Sequence, residues 1–368
     1  MAKNSNLGQA KVAKNDEFYT QWADIEKEIM AYLDYNPNVF RDKTILLPCD
    51  DPEWSNFTKF FAQNFDAFGL KKLISTSYAA ESKKIKLWQP TLFETKNPNY
   101  NASKSRTNGK IFVLDHDTNN NGCIDINDLE WQYLEGDGDF RSPEVKRLRD
   151  EADIIITNPP FSLFREFLAW IKEKGKQFLI IGNMNAITYK EVFYLIKDNK
   201  LWLGTTDIRW FYQGSIINSP FSSSSPLKRT SDGLLIEYQG RTIGSISPSN
   251  SLYEAAHSRW FTNLDHGRRH QPLLLMTMAD NVKHSKHKEI KEQGYQKYDN
   301  YDAIEVPYTD AIPSDYDGIM GVPISFLDKY CPEQFEILGL DDHREEWRGK
   351  GPDLNGKTLY RRIIIKKK

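Results

Sequence analysis

The tetrapeptide Asn158-Pro159-Pro160-Phe161 directly follows the apolar run Asp153–Thr157, and its residue types suit one kind of chemistry. Two consecutive prolines fix a rigid turn and remove two N–H donors, leaving carbonyl acceptors to point at a ligand. Asn158 adds a side-chain carbonyl. Two such acceptors can take both hydrogens of an exocyclic amine and hold its nitrogen lone pair toward an electrophile. An amine conjugated to a ring is a poor nucleophile, and methyl transfer to it requires this help. Phe161 supplies a flat face on which an extruded base can stack, worth about 1–3 kcal/mol. The competing reading is a Pro-Pro turn that ends a strand, with Phe161 in the core.

Two further patterns carry chemistry. From Asp117 to Asp128, oxygen side chains at Asp117, Asn119, Asn121, Asp125 and Asp128 fall at positions 1, 3, 5, 9 and 12 of a calcium-type loop, with Gly122 at position 6. The expectation is a structural Ca2+ or other hard cation, and the alternative is an Asn/Gly-rich turn of the same shape without metal. Residues 255–300 hold eight Lys/Arg against five acids, a local +3 in a chain of net charge −2, and five of its seven histidines. Within it Arg268 and Arg269, and Lys283 and Lys286, are candidate phosphate contacts, as are Lys228 and Arg229 after the serine run 222–225. Each cluster could equally be a solvated loop.

These residues need a scaffold. Thr44–Leu47, Lys72–Thr76, Asp153–Thr157 and Phe178–Ile181 read as strands, the last two apolar without alternation and therefore buried on both faces. Ile25, Ile29, Tyr32 and Leu33 share one face of a helix over 23–33. A second helix begins near Ser55 with Phe57, Phe60 and Phe61, and a third carries Phe164, Phe167, Leu168 and Ile171. The alternation predicts an α/β, doubly wound, Rossmann-like sheet in a catalytic domain over 1–204, with an inserted segment at about 80–150. Residues 205–368 read as a second, irregular α+β region. In such sheets ligands bind beyond the strands' carboxyl ends, which is where the tetrapeptide falls.

Composition narrows the classes. A 39% hydrophobic and 13% aromatic content over 368 residues supports a packed core, and the net charge of −2 excludes a uniformly basic coat. Cys49, Cys123 and Cys331 are odd in number and far apart, against a disulfide framework or a Cys-based zinc site. No run reaches 18 apolar residues and the start has no apolar signal core, so a soluble cytoplasmic protein, with no membrane partner, is expected.

Asn158-Pro159-Pro160-Phe161 resembles the catalytic motif of amino-methyltransferases that use S-adenosylmethionine. The longer strings GDGDFRSP (136–143) and DIIITNPPFSLFREF (153–167) look like the EcoRI-type adenine-specific DNA methyltransferase family. So do Pro48-Cys49-Asp50-Asp51-Pro52 with Ser55-Asn56-Phe57, Gly182-Asn183, Ala186–Glu191, GVPISFLDKYCPEQFEILGL (321–340) and the closing YRRIII. The resemblance implies methylation of the N6 amine of a flipped adenine in a specific double-stranded DNA sequence, within or derived from a restriction-modification system. It implies S-adenosylmethionine across the strand ends, a target-recognition and DNA-binding region in 205–368 whose C-terminal part completes the fold, and a monomer acting beside a separately encoded endonuclease. By the same resemblance Asp50 suits the methionine ammonium or the ribose, and Tyr19 and Thr20 belong to an N-terminal cofactor segment (16–20). Asp139 would accept the cofactor's adenine amine, with Phe140 beside the ring. Two departures stand out: the usual glycine-rich first turn is absent, and LISTSY after the second strand offers no acidic residue for the ribose. The runner-up is methylation of an RNA base or a protein glutamine amide by the same tetrapeptide. A calcium-dependent interaction module and an inert DNA-binding relative are more distant readings.

Overall fold

The computed structural model describes residues 19–50, 55–79, 92–212, 227–230, 233–238, 241–246, 252–340 and 351–368. The chain separates into two compact units, one of Met1–Met184 with Thr206–Leu264 and the other of Asn185–Thr205 with Asp265–Lys368. One division falls at Thr205/Thr206, beside the boundary expected at 204/205, and the others at Met184/Asn185 and Leu264/Asp265. Residues 206–264 join the first unit because their strands extend its sheet, a long-range pairing that local composition does not announce.

The first unit is built on a 12-stranded sheet. Its centre is four parallel strands: β2 (Thr44–Leu47), β3 (Lys72–Ser77), β6 (Ile154–Thr157) and β7 (Gln177–Asn183). They lie in the order β3-β2-β6-β7. The chain leaves β2 toward β3 on one side and returns to β6 on the other, so a topological switch point lies between β2 and β6. On one edge β4 (Lys110–Leu114) and β5 (Glu130–Tyr133) add antiparallel. The segment expected as an insertion outside the alternation is thus part of the sheet. β4 is half-buried, Lys110, Phe112 and Leu114 inward, and the buried Lys110 pairs with buried Glu94 at 3.0 Å. On the other edge β12 (Leu252–Thr262) runs antiparallel to β7 and leads to β11 (Arg241–Ile246), β10 (Gly233–Tyr238) and β9 (Leu227–Thr230). β8 (Trp202–Tyr212) pairs with β12, and the short β1 (Tyr19–Thr20) pairs antiparallel with β8.

Both faces are covered, which is why β2, β6 and β7 are apolar without alternation. One face packs Ile45, Leu47, Ile154, Ile156, Leu179, Ile181 and Trp260 against helix α1 (Trp22–Tyr35), through Ile25, Ile29 and Tyr32, and helix α2 (Asn56–Gln63), through Phe57, Phe60 and Phe61. Each of these buried phenylalanines stabilises the fold by roughly 1.5–3 kcal/mol. The segment that crosses back to β6 includes helix α3 (Pro143–Glu151), opened by Ser142, which accepts from the Val145 N–H at 3.2 Å. Helix α4 (Phe164–Lys172) joins β6 to β7, and its Phe164 packs on Phe261 at 5.0 Å between ring centroids.

The second unit has a four-stranded sheet with the order Ile304–Glu305, Met320–Pro323, Arg362–Lys367, Phe335–Leu340. Its closing strand sits inside the sheet, and Ile363, Ile364 and Ile365 are fully buried.

Candidate active site

Three chain segments meet at the carboxyl ends of the parallel strands. The first follows β2. Asp50 donates its backbone N–H to the Thr76 carbonyl at 2.9 Å, and its own carbonyl accepts from the hydroxyls of Ser75 and Thr58. These bonds pin the residue whatever its side chain does. The carboxylate, 4% exposed, accepts the Ser55 hydroxyl at 2.6 Å and the Thr157 hydroxyl at 2.6 Å. Ser55 also caps α2 by accepting from the Phe57 N–H at 3.1 Å, the ordinary role of serine at a helix start.

The second segment is the tetrapeptide, placed by β6 across the switch point from Asp50. Asn158 and Pro159 are buried, while Pro160 and Phe161 are partly exposed. The Pro160 carbonyl accepts from the Leu163 N–H at 2.9 Å, opening the short helical turn that leads into α4. That bond uses one of its two lone pairs, and the carbonyls of Pro159 and Pro160 stand as main-chain acceptors beside the Asn158 side chain. The Asn158 amide nitrogen donates to the Thr20 hydroxyl at 3.5 Å, and the Asn56 amide nitrogen donates to the Thr20 carbonyl at 2.8 Å. Phe161 rests on the α1/α2 core cluster and keeps part of its surface exposed.

The third segment follows β3. The Ala79 N–H donates to the Asp137 carbonyl at 2.8 Å, which draws the GDGDF loop onto the strand's end. Gly138 has φ +84°, and a Cβ there would lie 2.3 Å from the Ser77 carbonyl oxygen. Beyond it Asp139 accepts from the Tyr78 hydroxyl at 3.0 Å and from the Arg141 guanidinium at 2.8 and 2.6 Å. Burial works to raise the Asp139 pKa, but the hydrogen bonds from Arg141 and Tyr78 outweigh it and bring it to about 2. The stability this lowered pKa contributes is complete above the ordinary carboxylate value and is lost as pH falls toward 2. Phe140 is 5% exposed and packs edge-on against Phe167 and Trp170, with centroids at 5.1 and 5.7 Å. Its ring is core on the α4 side of the sheet.

Other expected site residues lie elsewhere. The segment 16–18 and the side chains of Tyr19, Lys228 and Arg229 fall outside what the structure describes. In the second unit Arg269 is 8% exposed, lies over the Trp202 ring at 3.6 Å and pairs with Asp265 at 3.2 Å. Arg269, expected as a phosphate contact, is held by an aromatic face and a carboxylate of its own unit. His266 beside it is buried, and burial pushes its pKa down to about 4. Arg268 is exposed and donates to the Thr205 carbonyl, Lys283 is exposed, and Lys286 is exposed and pairs with Asp310 at 2.8 Å.

The calcium-type loop closes on its own backbone. Asp128 accepts from the N–H groups of Thr118, Asn119 and Asp125 and from the Thr118 hydroxyl. Asp117 accepts from the N–H groups of Asn121 and Gly122, the Asn119 side chain accepts from the Asn121 N–H, the Asn121 side chain accepts from the Cys123 N–H, and Asp125 accepts from the Asn127 N–H. Among the described residues no group of three or more His, Cys, Asp or Glu side chains could hold a metal ion. The side chains expected as cation ligands thus serve as acceptors within an Asx-rich turn, the shape the metal-free alternative describes. EDTA is expected to leave the melting temperature unchanged, while Asp128→Ala lowers it. A fall with EDTA that added calcium reverses would restore the cation.

Thr157, Tyr78 and Arg141 were not legible as site residues. Thr157 reads as one more β-branched strand residue, and nothing local says that its hydroxyl reaches a carboxylate 107 positions earlier.

Known proteins resemble this chain over nearly its whole length. The profile of the family described as adenine-specific methyltransferase EcoRI matches residues 6–368. The type II methyltransferase M.EcoRI of Escherichia coli is 42% identical over 369 residues, covering 100% of this chain and 98% of the relative. M.MpnI of Mycoplasma pneumoniae is 32% identical and M.MgeORF184P of Mycoplasma genitalium 33%, each with 98% of both chains covered. No solved structure matches.

Proposed function

The chain belongs to the EcoRI-type adenine-specific methyltransferase family, and from that premise we propose how its residues divide the work of methylating adenine N6 in DNA. The observation that carries the proposal is the convergence of Asp50 and the Asn158–Phe161 turn on the two strands that flank the switch point. The Asn158 amide oxygen and the Pro159 carbonyl accept the two amine hydrogens, which localises the lone pair on nitrogen and aims it along one direction. Phe161 stacks on the extruded ring. As the N–CH3 bond forms, the donor's S–CH3 bond breaks and its electron pair stays on a neutral thioether; the amine nitrogen is left positive and releases a proton to water.

Methyltransferases of this family imply S-adenosylmethionine, which when bound supplies an electrophilic methyl on sulfonium. The donor set fits it: carboxylates at the ends of β2 and β3, Asp50 and Asp139, suit an ammonium, a ribose diol and an adenine amine, and Thr20 closes the side nearest Asn158. Asp139 would share its carboxylate between Arg141 and the cofactor. Phe140, packed into the α4 face, supports Asp139 through the chain rather than through its ring.

Arg268, Lys283, Lys286, Lys228 and Arg229 are proposed to meet DNA phosphates, and the enzyme to work as a monomer beside a separately encoded endonuclease. Among the described residues no helix is long and apolar enough to cross a membrane, in keeping with action on cytoplasmic DNA. Tritiated methyl transfer to plasmid, RNA and protein tests the substrate, and single-molecule sequencing of the plasmid locates the base. Label in RNA or in a protein amide, with none in DNA, would replace this reading by its runner-up.

Stacking makes a finer prediction. Phe161→Ala should slow methylation most on fully paired DNA and less where the target adenine is mismatched. A mismatch lowers the few kcal/mol needed for unstacking and unpairing, so less depends on the stacking partner. Equal loss on both duplexes would remove Phe161 from base capture.

A further inference from the structure

The hydrogen bonds at the switch point close into a circuit. Ser55 donates to one oxygen of Asp50 and Thr157 to the other, both at 2.6 Å. Thr157 is followed in the chain by Asn158, whose amide nitrogen donates to the Thr20 hydroxyl at 3.5 Å. The Thr20 carbonyl accepts from Asn56 at 2.8 Å, and Asn56 follows Ser55. Thr20, Asp50, Ser55, Thr157 and Asn158 are all at least nine-tenths buried. A buried carboxylate needs its hydrogen bonds, because an unmade one costs the full desolvation of the group. Asp50 therefore pulls on the last residue of β6 as firmly as on the start of α2.

We infer that Thr157 is a positioning residue for methyl transfer: acting through Asp50, its hydroxyl fixes the Asn158 acceptor relative to the cofactor seat. β2 and β6 are neighbours by backbone pairing only as far as Leu46 and Ile155. Beyond that register the two strand ends have no ladder between them, and the Thr157–Asp50 bond takes its place. A displacement of about 1 Å at a reacting centre can cost a hundredfold in rate, so a single bond at this point has leverage over turnover. Thr20 completes the device from the other side. It holds the Asn158 amide nitrogen, which turns the amide oxygen away from Thr20, and its own backbone is anchored by Asn56.

This inference rests on the proposed roles of Asn158 and Asp50, so Asn158→Ala is measured in parallel. Thr157→Val removes the hydroxyl and keeps the shape, while Thr157→Ser keeps the hydroxyl and removes a methyl. The readouts are single-turnover rate on a duplex carrying the target site, calorimetric Kd for S-adenosylhomocysteine, and melting temperature. Thr157→Val should slow the chemical step at least tenfold and weaken S-adenosylhomocysteine severalfold, with Kd for DNA unchanged. Thr157→Ser should restore both to within about threefold of the parent. A Thr157→Val protein that melts lower but keeps its rate and its Kd would make Thr157 merely structural. Equal losses in Thr157→Ser and Thr157→Val would show that the hydroxyl is not the agent. If Asn158→Ala turns over normally, the reading of the tetrapeptide fails instead, and the two failures are told apart by that one variant.

Discussion

Asn158→Ala is expected to slow methyl transfer by roughly a hundred- to a thousandfold, about 2.7–4 kcal/mol, the loss seen when one preorganised partner of a developing charge is removed. The amine is left with the Pro159 carbonyl alone, and its lone pair relaxes into the ring. Little stability should go with it, because the side-chain bond from Asn158 to Thr20 is long at 3.5 Å and a typical hydrogen bond contributes only about 1 kcal/mol. Single-turnover methylation and thermal melting separate the two effects. Turnover near the parent rate would remove Asn158 from the chemistry, and a collapse of the fold would make it a structural residue.

The second large effect is on the scaffold of the site. Gly138→Ala is expected to cost about 3 kcal/mol or more, because an L side chain at positive φ is strained by itself and the new methyl meets backbone that cannot step aside. The obstacle is the Ser77 carbonyl oxygen, 2.3 Å from the new Cβ, and a Cβ added at Gly109, just before β4, would lie 2.6 Å from the same oxygen. Moving either would shift Asp139, so cofactor affinity should fall along with the urea midpoint. Two other glycines supply controls. Gly122 has φ +85° with nothing within 4 Å of its added Cβ, and Gly136 has the same open space without the positive φ. Gly122→Ala should cost about 1 kcal/mol and Gly136→Ala less. If Gly138→Ala behaves like Gly122→Ala, close packing of the GDGDF loop on β3 is not what holds the site's third wall.

The parallel core was legible because it is local. Apolar runs without alternation, such as residues 154–157 and 178–181, state their burial in every residue, and phenylalanines at helical spacing mark the faces that cover them. The tetrapeptide was legible for a related reason: two prolines and an asparagine restrict one short turn so strongly that its chemistry can be read from residue types. The edges of the sheet were not. β4 and β5 pair antiparallel onto β3, and β12 onto β7. Strand order depends on which distant edge a strand finds, and no local pattern encodes that.

The same division runs through the site. The placement of Asp50 and of Asn158-Pro159 just beyond recognisable strands follows from the sequence by itself. The partners of Asp50 were settled only by folding, which brings Thr157 and Ser55 to within 2.6 Å of one carboxylate. The surroundings of Arg269 and Phe140 were likewise settled only by folding. Their fates depend on Trp202, Asp265, Phe167 and Trp170, residues that become neighbours in three dimensions. The loop 117–128 sits between these cases. Its spacing determined the turn, and only the closed turn shows which backbone N–H groups those oxygens accept from.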